Sequence, residues 1–160
     1  MQQKDLVAAL RSHPFDKNFT PEQIEKLASL AREVTFERDQ VIFREGGESH
    51  DFHLIISGRV ALEIEVQNHP NVRVQTLSGG DEFGWSAMLS GQGKYFQARA
   101  LEPVTALAFD DKALLAACNA DTAFGYAFIY RVLEVVSERL QATRLQVLDH
   151  YSPIAKRAGA

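Results

Sequence analysis

A glycine-rich segment at residues 79–89 has the composition of a site for an anionic ligand. It reads GGDEFGWSAML, so glycines precede a run of residues that favours a short helical turn. Gly80 and Gly84 permit backbone conformations that other residues adopt only at a cost. Backbone amides at such a turn, here those of Ser86 and Ala87, donate hydrogen bonds to an anion without needing charged side chains.

A cation follows the glycine-rich segment. Lys94 would place a positive charge beside an anion such as a phosphate. The alternative interpretation is a tight connection between two strands, in which the glycines serve only the turn and Trp85 and Met88 serve only the core. The residues alone leave both interpretations open.

Four side chains with metal-ligand chemistry lie earlier in the sequence, namely His50, Asp51, His53 and Glu63. Cupins, a class of small β-barrel proteins that includes metal-dependent enzymes, bind metals through His and Glu on adjacent strands. The spacing argues against this function, because residues three apart on an extended strand point to opposite faces. We therefore predict no metal site. The sequence also lacks the common motifs of nucleotide-binding loops and serine hydrolases, so we predict no catalytic residues.

The composition is that of a soluble globular protein. Of the 160 residues, 46% are hydrophobic and 24% are charged, which is ordinary for this class. The net charge of −4 argues against nucleic-acid binding, since neutralising phosphates needs a basic excess. The single cysteine, Cys118, permits no internal disulfide, and no apolar run reaches the roughly 18 residues that cross a membrane. We therefore predict one cytoplasmic domain over residues 1–160.

Hydrophobic periodicity predicts helices at both ends of the chain and strands between them. Residues 4–12 have helical spacing, and a second helix begins with Thr20 as its N-cap and has an apolar stripe that ends at Ala31. The period then changes to two, and the run from Val60 to Val66 alternates as a half-buried strand does. Short strands over about residues 34–109 predict an α+β, mainly β, jelly roll.

Two helices follow over about residues 111–150, and residues 152–160 have the composition of a frayed tail. The second helix is long and carries two apolar stripes. If one stripe packs on the barrel and the other on a twin helix, the protein is a homodimer. The alternative is one broad apolar face on a single core. The first stripe, the heptad seam, consists of Ile129, Leu133, Val136, Leu140, the polar Thr143 and Val147, and the neighbouring stripe consists of Phe128, Val132, Val135 and Leu145.

These elements, in this order, resemble the cyclic nucleotide-binding domain, and in particular the sensor domain of bacterial catabolite activator (Crp/Fnr-type) proteins. The resemblance covers residues 15–150 and is carried by GGESHDFHLIISGRVAL, GGDEFGWSAML and the long helix. It implies a β-roll flanked by helices and a non-enzymatic role in signal transduction, with a cyclic nucleotide or another small anionic ligand. The glycines that match the family's strand turns are Gly47, Gly58, Gly80 and Gly84.

The resemblance also implies a binding cassette, and this chain carries a variant of it. In the family, a glutamate follows the glycine that matches Gly84 and takes the ribose 2′-hydroxyl, and an arginine pairs with the cyclic phosphate. Here Trp85 replaces the glutamate, and Lys94 or Tyr95 replaces the arginine, depending on a one-residue gap. Lysine keeps the charge without the bidentate fork, and tyrosine keeps only a donor. The cassette residues are Phe83, Gly84, Trp85, Ser86, Ala87, Lys94, Tyr95 and Phe96.

The run RLQAT resembles the family's helix segment whose threonine reaches the purine base, which implies that Thr143 lies near a ligand. Arg99 either faces the pocket or the solvent. We expect the ligand's anionic part to meet the amides near Ser86, and the ligand to reposition the long helix and so change a partner surface. Alternatively, Trp85 fills the pocket and leaves a dimerisation or adaptor module.

The FGWS variant is familiar from small, stand-alone bacterial members of this fold. Crp/Fnr regulators follow the long helix with a helix-turn-helix that reads DNA. Only about ten residues follow His150 here, too few for that module, so we predict no direct DNA binding. Because no apolar run is long enough to cross a membrane, we also predict no membrane binding, and we expect an unidentified protein partner.

Overall fold

Two four-stranded antiparallel sheets lie face to face, with helices packed on the first of them. The computed structural model describes residues 1–48, 50–89 and 95–151, without the side chain of Ala87. The helices are α1 (Gln3–Ser12), α2 (Pro21–Leu30), α3 (Asp111–Ala120) and α4 (Thr122–Tyr151), with 3-10 turns at Pro14–Asp16 and Trp85–Met88. The strands are β1 (Ala31–Phe36), β2 (Val41–Phe43), β3 (Asp51–Ser57), β4 (Arg59–Ile64), β5 (Val72–Ser78), β6 (Glu82–Phe83), β7 (Gln97–Ala100) and β8 (Val104–Asp110).

The sheet topology confirms the predicted fold class. The first sheet has the order β1-β8-β3-β6 and the second has the order β2-β7-β4-β5, so all neighbouring strands except β4 and β5 are non-consecutive in the chain. The NHPN turn joins β4 to β5 as an antiparallel hairpin, as the sequence predicts. The result is a β-roll with helices before and after it.

Two hydrophobic cores hold this arrangement together. One lies between the first sheet and the helices and includes Phe15, Phe52 and Phe128, whose rings pack edge to face or tilted. The other lies between the two sheets and includes Ile55 and Leu62. Because β3 contributes to both cores, residues 52–55 are all buried, which a fully covered strand requires.

The start of α2 is confirmed, and its end is a correction. The Thr20 hydroxyl accepts a hydrogen bond from the Gln23 amide at 3.2 Å, and the Gln23 side chain accepts one from the Thr20 amide at 2.9 Å. Ala31, predicted to continue the helical stripe, is extended (φ −83°, ψ 146°) and opens β1. It pairs with Phe109 on β8, so strand pairing ends the helix there.

The predicted half-buried strand is shorter and more buried than its alternation suggests. β4 ends at Ile64, and Ala61 and Glu63 are buried together with the apolar residues. Glu63 is covered because side chains of the neighbouring strand β7 hydrogen-bond to it. The second face of β4 is therefore covered by a polar network around Glu63. Hydrophobic periodicity does not detect such a network, because it counts only apolar residues.

The two stripes of α4 have different surroundings. Phe128 and Val135 are buried in the first core and Val132 is half-buried, so this stripe faces the protein's own barrel. Leu145 is a correction, since it is 60% exposed and Gln146 faces the barrel instead, donating to the Val74 carbonyl at 3.1 Å. Four seam residues are large, apolar and exposed: Ile129, Leu133, Leu140 and Val147.

Arg131 joins α4 to the N-terminal part of the chain. Its Nη2 atom donates to the Pro14 carbonyl at 3.2 Å, and its guanidinium lies 5.6 Å from the centre of the Phe15 ring. The ring of Phe15 also packs against the ring of Phe128 on α4. The 3-10 turn that follows α1 is therefore anchored on α4.

Within the described ranges, no helix is long and apolar enough to span a bilayer.

Candidate ligand-binding site

The turn at Trp85–Met88, called here the cassette turn, starts from a glycine in the left-handed region. Gly84 has φ 84° and ψ 13°, a conformation that a side chain disfavours. The preceding residues Glu82 and Phe83 pair with Leu54 and His53 on β3, which fixes the turn at the edge of the first sheet. The predicted glycine turn followed by a helical turn is therefore confirmed.

A small cavity lies beside the cassette turn, and it brings together most of the predicted site residues. Its volume is about 20 Å³, which is room for a single water molecule. Sequence reasoning missed three further lining residues, Phe43, Leu62 and Arg139. The predicted residues that line it are Phe83, Gly84, Trp85, Ser86, Tyr95 and Phe96.

Two aromatic side chains account for the small size of the cavity. The rings of Trp85 and Tyr95 meet edge to face, with centroids 5.7 Å apart and planes at 63°. Edge-to-face contact is a preferred aromatic arrangement. The paired rings of Trp85 and Tyr95 occupy part of the space beside the cassette turn.

Arg139 enters the cavity from the long helix. Its side chain is 15% exposed, and its Nη2 atom lies 3.9 Å from Oε1 of Glu82, whose side chain is 9% exposed. That distance is too long for a hydrogen bond. Nη2 has no hydrogen-bond partner among the described residues. A buried guanidinium therefore faces a buried carboxyl without completing its hydrogen bonds.

Burial dominates the protonation of both groups. It raises the pKa of Glu82 to about 7, against the opposing effect of the Arg139 charge. It also lowers the pKa of Arg139, although an arginine remains charged in proteins. Glu82 thus exchanges its proton near neutral pH, beside a permanent cation.

The other predicted site residues have different placements. Thr143 is exposed and does not line the cavity, whereas Arg139, one helical turn earlier in the same RLQAT run, does. Lys94 lies outside the described residues, and of Ala87 only the backbone is described. A sequence signal for Arg139 exists: it follows Val135 by four positions and so falls on the barrel-facing stripe of α4, where a charged residue is unusual.

Arg99 faces neither the cavity nor open solvent. It pairs across the sheet with Ala61, next to the Leu62–Ala98 pair that lies in the core, so its side chain points to the opposite face. There its Nε and Nη2 atoms donate to the two carboxylate oxygens of Glu63, both at 3.0 Å. These hydrogen bonds lower the pKa of Glu63.

The side chains considered for a metal do not come together. His50 contacts Asp111 at 3.3 Å, and His53 stacks on Phe83 with centroids 4.6 Å apart. Glu63 belongs to the Arg99 network on the other sheet. Over the part of the chain that the structure describes, no three His, Cys, Asp or Glu side chains cluster in a way that could hold a metal.

The fold and the cassette turn agree with a comparison against protein-family models. The model of the cyclic nucleotide-binding domain matches residues 33–121, which span both sheets, the cassette turn and α3. The chain belongs to the cyclic nucleotide-binding domain family. This confirms the resemblance that the glycine-rich segments indicated.

Relatives of this cyclic nucleotide-binding domain include solved structures from regulators. A cyclic nucleotide-binding domain from Methylobacillus flagellatus superposes with a TM-score of 0.79 at 18% identity, over 92% of this chain and 83% of that one. The catabolite activator protein of Thermus thermophilus superposes with a TM-score of 0.71 at 22% identity, over 87% of this chain and 63% of that one. These likenesses show the fold of Crp/Fnr-type regulators.

A curated relative has a much longer chain. The cAMP/cGMP-dependent 3′,5′-cAMP/cGMP phosphodiesterase B of Dictyostelium discoideum is 26% identical over an alignment of 119 residues, which covers 70% of this chain. The matched part is 11% of that relative. This cyclic nucleotide-binding domain therefore spans about a tenth of the relative's length.

Proposed function

We propose that this cyclic nucleotide-binding domain is a non-enzymatic regulatory domain whose ligand binds between the cassette turn and α4. The observation that carries the proposal is the double role of α4. The helix contributes Arg139 to the cavity, and on another face it carries the exposed heptad seam. A ligand that moves Arg139 also moves the seam, so binding changes the surface offered to a partner.

The seam supports a homodimer as the form that responds. Leu133 is 61% exposed and Leu140 is 69% exposed, in a row with Ile129 and Val147. A continuous apolar row on a helix is typical of an interface rather than of a solvated surface. Since the net charge is −4, we propose a protein rather than DNA as the further partner.

The ligand of this domain differs from that of a cyclic nucleotide receptor with a complete cassette. Trp85 stands where the family has a ribose-binding glutamate, and its ring meets Tyr95. A cyclic nucleotide requires a cavity many times larger than the present 20 Å³. We therefore propose weak binding of cAMP and cGMP, and an anionic ligand that either is small or displaces the two rings.

A second candidate function is a constitutive dimerisation or adaptor module. The small cavity favours it, because Trp85 and Tyr95 then occupy this space permanently. The seam remains the working surface in this case. No catalytic group is needed in either function.

One titration distinguishes the two functions. The chain has a single tryptophan, which lies at the cavity, so its fluorescence reports binding directly. Purified protein is titrated with cAMP and with cGMP to millimolar concentration, and its mass is measured by light scattering with and without ligand. A fluorescence change in the wild type that is lost in Arg139→Gln and kept in the exposed control Arg144→Gln supports the sensor. A stable dimer without any response supports the adaptor, and a monomer under all conditions overturns both.

A further inference from the structure

The guanidinium of Arg139 is an incomplete binding centre inside the cavity. Its Nη2 atom is buried without a hydrogen-bond partner among the described residues, and its nearest charged neighbour, Glu82, is 3.9 Å away. A buried donor that loses water without gaining an acceptor is costly. An acceptor of matching shape would therefore bind there favourably.

The cavity limits the size and chemistry of that acceptor. It has a volume of about 20 Å³ and is lined by the apolar side chains of Phe43, Leu62 and Trp85 as well as by Arg139. A planar carboxylate presents two oxygens to the guanidinium fork, a geometry that an arginine favours over a spherical ion. Formate, the smallest carboxylate, has three heavy atoms and exceeds this space, so it binds only if the rings of Trp85 and Tyr95 move apart.

The charges around Glu82 determine when an anion is tolerated. Its neighbours are Asp81 in the chain and Arg131, Glu138 and Arg139 on α4, while its strand partner Leu54 on β3 is apolar. An ionised Glu82 neutralises the positive charge of Arg139 and repels a second anion. A protonated Glu82 leaves the positive charge of Arg139 available.

We propose that Arg139 and Glu82 form a proton-linked site for a small monovalent carboxylate of formate size, which binds the guanidinium while Glu82 takes up a proton from solvent. This inference rests on the proposed function in placing the ligand in this cavity. It deepens that function by naming the ligand class and the condition for binding. No bond other than the O–H bond on Glu82 forms or breaks.

The pH dependence follows from the Glu82 titration. Its pKa is raised to about 7, so most molecules are protonated at Glu82 at pH 6 and few are at pH 8. A ligand that binds only the protonated form has its apparent affinity reduced by the fraction of that form. Formate is therefore expected to bind about tenfold more tightly at pH 6 than at pH 8.

The test is a titration with sodium formate in chloride-free buffer at constant ionic strength, read by tryptophan fluorescence and calorimetry at pH 6, 7 and 8. The wild type should show the tenfold dependence and take up a proton on binding at pH 8. Glu82→Gln, which is neutral at every pH, should bind with the pH 6 affinity throughout. Arg139→Gln should lose binding, and Arg139→Lys should weaken it, with folding checked by circular dichroism.

Controls separate this site from general ion effects. Arg144→Gln removes an exposed arginine from the same helix and should bind like the wild type. Sodium chloride tests whether the planar shape matters, and a response equal to that of formate overturns the proposal. No formate binding, or binding that is unchanged in Arg139→Gln, overturns it as well, while the proposed regulatory function still stands if another ligand acts. Formate binding that leaves the dimer unchanged supports the site and counts against the regulatory function.

Discussion

The Nη2 atom of Arg139 on α4 lies 3.9 Å from the Oε1 atom of Glu82 on β6, so a single charge pair joins the long helix to the strand before the cassette turn. Both side chains are largely buried, and neither completes a hydrogen bond with the other. The pair connects the two parts of the molecule that the proposed function couples, the cassette turn and α4.

Replacing Glu82 by glutamine is expected to change the pH dependence of stability. The folded-state pKa of Glu82 is raised from 4.5 to about 7, so its stabilising contribution is full below pH 4.5 and is lost as pH rises through 7. At about 1.4 kcal/mol per pKa unit, the difference reaches about 3 kcal/mol. Urea unfolding should show E82Q equal to the wild type near pH 4.5 and more stable by this amount at pH 8. Parallel curves for the two proteins would mean that Glu82 titrates normally.

A charge in the heptad seam should separate the proposed dimer. Leu140 is 69% exposed in the single chain, so Leu140→Glu should leave the fold of the monomer intact. Burying one leucine stabilises an interface by at least about 1.5 kcal/mol, and a symmetric dimer loses two leucines in this variant. The dissociation constant should therefore rise at least about 100-fold. Light scattering and sedimentation measure this directly. Gln141→Glu, one residue away on the exposed side, should remain dimeric, and equal effects of the two would contradict the seam.

Removing Arg99 should destabilise the second sheet. Glu63 would remain buried without its bidentate partner, and breaking a partly buried pair in this way costs about 2–3 kcal/mol. Because the folded-state pKa of Glu63 is lowered, the stability that the pair contributes is present above pH 4.5 and is lost as pH falls below it. Arg99→Met should therefore be destabilised at pH 7 and approach the wild type in strong acid. In the double variant with Glu63→Gln, much of the loss at pH 7 should be recovered, as denaturant unfolding can show.

Trp85 is expected to limit the affinity for cyclic nucleotides. Trp85→Ala removes the ring that meets Tyr95 and enlarges the cavity, at a stability cost of about 1–2 kcal/mol for a half-buried side chain. Trp85→Glu in addition supplies the carboxylate found in the family's cassette. Calorimetry should rank the affinity for cAMP as W85E above W85A above wild type. Leu89→Ala, a truncation of an exposed residue just after the turn, serves as the control and should bind like the wild type.

Local features of the fold could be predicted because neighbouring residues determine them. The capping box of Thr20 and Gln23 and the N-cap of Asp110 each involve residues three positions apart. The cassette turn begins at Gly84 because glycine readily adopts the left-handed backbone conformation found there. Such features need no knowledge of what lies across the molecule.

Features that depend on distant partners could not be predicted in the same way. Ala31 leaves the helix because it pairs with Phe109, and Glu63 is buried because Arg99 covers it from another strand. Arg139 was recognised only as part of a helical run, since the position of Glu82 beside it depends on how α4 crosses the β-roll. Thr143 was chosen by resemblance; it is exposed in the single chain, and its proximity to a ligand shared with a partner subunit stays a prediction.

The anchoring of the first 3-10 turn on α4 has a consequence for synthesis. Arg131 holds the Pro14 carbonyl across 117 positions of sequence, and Phe15 packs on Phe128 of the same helix. A ribosome makes the chain from its N-terminus at about 5–20 residues per second, so residues 14–16 wait several seconds for their partner helix. During that time the aromatic ring of Phe15 has no α4 to cover it. The nascent chain is therefore most exposed to chaperones, and to mispairing with other copies, until α4 has left the exit tunnel.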